Sequence, residues 1–144
     1  MSLFYFLHVK NILIKNVMHF TYPKKEKLCS KILIDKLFEK NKRLKKFPLH
    51  LIWIETELSS DVPVQSMVSV SKRRFKKAVS RNLLKRRMRE AFRLNKAGLY
   101  KILQSENKQI AVAFIYQSNE ILPYGDIEKS MIILLAGLQE KLTA

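Results

Sequence analysis

Residues 72–93, KRRFKKAVSRNLLKRRMREAFR, carry eleven basic side chains and a single acid, Glu90. A segment this charged can join a folded core only if its few apolar residues line up. At about 100° per residue along a helix they do, since Leu84, Met88 and Ala91 fall within an arc of about 60°. Arg81, Asn82, Lys85, Arg86, Arg89 and Arg93 share a separate arc of about 140°, and Arg87 stands apart from both. The spacing therefore predicts a helix that docks by one narrow stripe and presents a row of cations. The rest of the chain has to supply the apolar surface that receives the stripe.

Same-sign neighbours at i,i+4, such as Arg81, Lys85 and Arg89, destabilise an isolated helix by about 0.2–0.5 kcal/mol per pair. Solvated helix faces usually interleave signs, so this row calls for an external counter-charge. Phosphate suits it, because arginine forks match phosphate oxygens and each contact releases condensed counterions. Lys72, Arg73, Arg74, Lys76 and Lys77, just before the helix, extend the row, and Asn82 adds a neutral group able to read a base, ribose or backbone. The whole chain agrees. Its 28 Lys and Arg against 12 Asp and Glu leave +16, while 47% hydrophobic content argues for a folded protein with a polyanionic partner rather than a disordered one. A membrane surface is disfavoured, since the apolar stripe is narrow and needed for the core, and no stretch approaches the roughly 20 apolar residues of a membrane span. The lone cysteine, Cys29, excludes an internal disulfide and a thiolate-rich zinc site, and a reducing cytoplasm is the expected compartment.

A chain of 144 residues has room for one domain. That domain is expected to span residues 23–144, with residues 1–22 an extension, either disordered or not native, and Met18 an alternative start. Residues 30–41 read as a helix capped by Ser30, with Leu33 and Ile34 one turn before Leu37 and Phe38, and with Asn41 in the left-handed conformation that ends it. Residues 42–46 read as a basic connection. Residues 47–55 suggest a strand with Phe47, Leu49, Leu51 and Trp53 on one face, and residues 64–71 another with Val64, Val68 and Val70 together. A long helix is expected over 78–104, broken at Gly98, then a strand over 109–116. Ile127, Met131, Leu134, Leu138 and Leu142 mark a final amphipathic helix. The class is α+β: one layer of helices on a small sheet of three or four strands, with a βαβ unit.

Residues 69–93, SVSKRRFKKAVSRNLLKRRMREAFR, resemble the signature of the protein component of bacterial ribonuclease P. There a strand ending in a small-residue and lysine turn leads into an Arg-Asn-x-x-Lys-Arg-x-x-Arg helix. Arg81, Asn82, Lys85, Arg86 and Arg89 match it position by position. Leu83 stands where the family usually has another basic residue, and Arg87 is expected to supply part of that charge. The resemblance implies a protein that binds the catalytic RNA of ribonuclease P and assists removal of the 5′ leader from precursor tRNA, with Mg²⁺ held mainly by the RNA and none bound tightly by the protein. It also implies a left-handed βαβ crossover, and a cleft between the first helix and the sheet that holds the leader. By position, Ile34, Phe38, Phe47 and His50 would line that cleft, His50 and Ile34 replacing aromatic residues common there.

A self-sufficient nuclease would need clustered carboxylates for metal ions or a pair of acid and base groups. Neither is evident. Glu55 and Glu57 are the nearest spaced acids, His8 and His19 fall in the extension, and His50 is alone in a strand. No catalytic residue and no metal ligand is expected in the protein itself, and no small-molecule substrate. The alternative to a ribonucleoprotein subunit is a ribosomal or other module that binds structured RNA without processing it.

Overall fold

The computed structural model describes residues 21–144. After a short 3-10 turn, Lys24–Glu26, come helix α1 (Lys31–Glu39) and strands β1 (Lys42–Lys46), β2 (Leu49–Glu55) and β3 (Val64–Ser69). Helices α2 (Ala78–Asn95) and α3 (Ala97–Ser105), strand β4 (Ile110–Tyr116) and helix α4 (Tyr124–Thr143) follow. The sheet order is β1-β2-β4-β3. Strand β2 pairs antiparallel with both neighbours, and β3 runs parallel to β4, so β3, α2, α3 and β4 form the expected βαβ unit. Of residues 1–22, the expected extension, only Thr21 and Tyr22 lie within the described part.

The central strands are buried on both faces. Leu49, Leu51 and Trp53 of β2 join Ile110, Val112, Phe114 and Tyr116 of β4 against the apolar faces of α2, α3 and α4. The alternate residues Ile52, Ile54, Ala111 and Ala113 pack with Leu28 and with Leu37 of α1. Helices therefore cover both sides of the sheet, which corrects the expectation of a single helical layer. The reason is visible in the runs LHLIWI and IAVAFIY, which are nearly continuous rather than alternating, as strands covered on both faces must be.

Residues 42–46 are not a connection but edge strand β1, in register with β2 from Lys42 opposite Trp53 to Lys46 opposite Leu49. Its one apolar residue, Leu44, packs on the α2–α4 side, with a methyl 3.3 Å from where Gly137 of α4 would carry a Cβ. Four lysine and arginine side chains hide the strand pattern in the sequence, yet cations suit an exposed edge because they discourage pairing with another chain. Asn41 is not left-handed either: its side-chain amide donates to the carbonyls of Leu37 (2.9 Å) and Phe38 (3.3 Å), ending α1 by direct capping. Among the described non-glycine residues only Asn107, in the turn from α3 to β4, takes a positive φ, of 52°.

The long helix breaks at Lys96 rather than at Gly98, which lies within α3. Asn95 donates its side-chain amide to the Ala91 carbonyl at 2.8 Å, and Lys96 then turns inward. Its ammonium, 1% exposed, meets both carboxylate oxygens of Glu26 at 3.1 and 3.2 Å, donates to the Thr21 carbonyl, and lies 4.8 Å from the centre of the Tyr100 ring. Burial lowers the Lys96 pKa and Glu26 opposes that shift. Tyr22 packs edge-on against Phe92 and hydrogen-bonds Ser66 of β3, so the segment before α1 is tied to the break between α2 and α3. Removing one partner of a buried pair strands the other charge, at a cost of about 3–5 kcal/mol. Urea denaturation of Lys96→Ala is expected to show a loss of that size, and the double variant Glu26→Leu, Lys96→Met to recover most of it. Equal losses in both would mean that packing, not the charge pair, is what Lys96 supplies.

Candidate nucleic-acid interface

The loop before α2 is closed by its own polar groups. The Ser71 hydroxyl accepts the Arg74 N–H at 3.1 Å and the Ser71 carbonyl accepts the Phe75 N–H at 3.2 Å. Arg81, in the first turn of α2, reaches back and donates to the carbonyls of Phe75 and Lys76, each at 2.8 Å. The first residue of the Arg-Asn motif thus fastens the basic loop to the helix. Leu84, Met88 and Ala91 are buried as the helical spacing predicts, with Phe92 beside them.

The eleven cations of residues 72–93 divide by partner. Arg74 is held by two neutral amide oxygens, Asn119 Oδ1 and Gln117 Oε1, both at 2.9 Å. Arg93 pairs with Glu90 at 2.6 Å, and this bond keeps the Glu90 carboxyl below its usual range. Arg87, expected to supply part of the charge missing at Leu83, donates its guanidinium to the Leu122 carbonyl at 2.7 Å. There it shares a structural task with Tyr116, whose hydroxyl donates to the Glu120 carbonyl and accepts the Leu122 N–H, pinning the segment that leads into α4. Apart from these three and Arg81, the other seven, Lys72, Arg73, Lys76, Lys77, Lys85, Arg86 and Arg89, have no carboxylate within ion-pair distance among the described residues. All are exposed except the partly buried Lys85, and Asn82 is exposed among them.

Across the sheet, α1 starts at Ser30, whose hydroxyl accepts the Leu33 N–H, and lays Leu33, Ile34 and Leu37 on the second core cluster. Phe38, one turn beyond Ile34, is 44% exposed, so its ring is not absorbed into the core. His50 sits on the same sheet face as Ile52, half-buried, with Lys45 of β1 and Ile115 of β4 as its register neighbours. Burial lowers the His50 pKa first, and Lys45, Arg43 and Arg74 lower it further. Phe47 is placed differently. It lies in the turn before β2, 66% exposed, with its carbonyl bound by the Ser130 hydroxyl of α4, at the end of the sheet rather than on the α1 face. Arg43 and Lys45 are cations of this face that the sequence reading passed over; the signal was their alternation about Leu44.

Among the described residues no cluster of three His, Cys, Asp or Glu is arranged to hold a metal ion, and no helix is long and apolar enough to cross a membrane. Cys29 is a free, exposed thiol. His8 and His19 lie outside the described residues.

The family model described as Ribonuclease P matches residues 22–138. The ribonuclease P protein component of Porphyromonas gingivalis is 36% identical over 124 residues, covering 82% of this chain and 88% of that protein. That of Chlorobaculum tepidum is 34% identical over 103 residues, 67% of each. The structure of the Staphylococcus aureus RNase P protein shares the fold, with a TM-score of 0.59 at 18% identity over 78% of this chain and 94% of that one. With the Arg-Asn-x-x-Lys-Arg-x-x-Arg helix following a parallel strand in the matched region, the chain belongs to the family of ribonuclease P protein components, RNA-binding subunits of a tRNA-processing ribonucleoprotein.

Proposed function

We propose that α2 and the loop before it bind the catalytic RNA of ribonuclease P, while the α1 face of the sheet grips the single-stranded 5′ leader of precursor tRNA. The observation that carries this reading is the set of seven cations that meet no carboxylate among the described residues, around a helix docked by one apolar stripe. Phosphates offset their mutual repulsion and release counterions. Arg81 takes part chiefly by fixing the loop, and Arg93, shared with Glu90, contributes least. On the other face the open ring of Phe38 offers an unstacked base a platform, with Ile34 one turn earlier on α1 and His50 on the sheet. Bond cleavage belongs to the RNA and its Mg²⁺ ions; the protein lowers the repulsion between two RNAs and holds the leader, in the cytoplasm where tRNA is processed. A module that binds RNA without processing it is not favoured, since the relatives are ribonuclease P components.

Two measurements test this assignment. Arg86→Ala and Arg89→Ala should keep the melting temperature and weaken binding to the catalytic RNA, whereas Arg87→Ala, which loses its bond to the Leu122 carbonyl, should cost about 1.5–3 kcal/mol of stability. With about five phosphate contacts, log affinity should fall with a slope near −4 against log salt, and a flat salt dependence would remove the electrostatic basis.

The protein alone is expected to leave precursor tRNA intact, and with a bacterial ribonuclease P RNA at low Mg²⁺ to restore cleavage at the mature 5′ end. Phe38→Ala should weaken binding of precursor relative to mature tRNA by about 1–3 kcal/mol. Equal losses for the two RNAs would take the leader off that ring.

A further inference from the structure

The arginines nearest His50 are oriented without being neutralised. Asn41, whose amide group caps α1, turns its oxygen to Arg43 and accepts from the guanidinium Nε at 2.8 Å. Arg74 is held by Gln117 and Asn119 through amide oxygens as well. Neutral acceptors fix a guanidinium in direction and leave its charge available, unlike the carboxylates that pair with Arg93 and Lys96. Lys45, opposite His50 in the strand register, has no carboxylate partner among the described residues.

Among the described residues the charges that act on the imidazole include no anion. On β4 its register neighbour is Ile115. From β1 come Arg43 and Lys45, and from the loop before α2 comes Arg74. Helix α1 contributes Leu33, Ile34 and Leu37 to this layer, while its Lys31, Asp35, Lys36, Glu39 and Lys40 are all exposed. We propose that Arg43, Lys45 and Arg74 seat one phosphodiester of the single-stranded leader beside His50, and that His50 takes a proton from solvent when the phosphate arrives. This rests on the assignment of the leader to the α1 face.

Free of ligand, the imidazole is half-buried among cations and holds its proton poorly. A phosphate in their midst reverses the sign of the local field and supplies an acceptor for the imidazolium N–H. The linkage has a definite direction. Affinity for the leader rises as pH falls through the His50 midpoint of the complex, and the gain is complete below that of the free protein.

The test uses the full chain with labelled histidines, the His50 signal being assigned with His50→Gln. Each histidine is titrated by NMR with and without a short single-stranded RNA, whose binding is followed by fluorescence polarisation. The His50 midpoint is expected to rise by about one unit in the complex, which makes binding about tenfold tighter at low than at high pH. His50→Gln should lose this pH dependence, and Arg43→Ala with Lys45→Ala should abolish the rise and weaken binding several-fold. RNA bound with an unchanged His50 midpoint overturns the phosphate seat and leaves the leader assignment standing. An oligonucleotide that does not bind, while the catalytic RNA still does, overturns both.

Discussion

Four buried side chains, Leu84, Met88, Ala91 and Phe92, hold a strongly basic helix onto the sheet. Burying each of the three larger ones is worth about 1.5–3 kcal/mol, while each like-charge pair along the helix costs about 0.2–0.5 kcal/mol. The stripe wins by a wide margin, and the chain can keep a row of uncompensated cations on its surface. The sheet exists in the form that makes this possible. β4 is buried on both faces and pairs with β2 and β3, so its residues Ile110, Val112, Phe114 and Tyr116 face the helices while Ala111 and Ala113 serve α1.

The chain uses its arginines and lysines in distinct ways, and partner chemistry tells them apart. Lys96 meets a buried carboxylate and locks the α2–α3 junction to the segment before α1. Arg81 and Arg87 donate to backbone carbonyls and secure the segments on either side of α2. Arg43 and Arg74 are aimed by amide oxygens. Arg93 pairs with Glu90, while Lys72, Arg73, Lys76, Lys77, Lys85, Arg86 and Arg89 meet no carboxylate among the described residues. A count of basic residues treats all of these alike, although those paired with carboxylates are neutralised and those held by neutral acceptors are not.

Much of this was legible in residue order. Helical spacing located the docking stripe of α2 and the buried face of α4, from Ile127 to Leu142, and the motif located the family. Other features were hidden for identifiable reasons. KRLKK has one apolar residue in five, so nothing local marks β1; it becomes a strand because β2 offers it a ladder. Asn41 and Asn107 are the same residue type after two helices, and only their surroundings decide that one caps with its side chain while the other turns left-handed. Gly98 looked like a helix breaker, yet the break came from Asn95 and Lys96, whose roles depend on Ala91 and on a glutamate 70 residues away.

Periodicity and composition by themselves determined the types of the main helices and of strands β2, β3 and β4, the cationic row and its apolar counterpart, since these depend on neighbours within a few residues. The tertiary structure alone decided which cations are spent on the fold and which remain free, because a side chain's partner is set by segments distant in sequence. It also decided that helices cover both faces of the sheet and that the exposed ring of Phe38 and the half-buried His50 come to the α1 side with Arg43 and Lys45. Strand order and register are long-range choices, and a sequence pattern of period two records which residues share a face without recording what lies across from it.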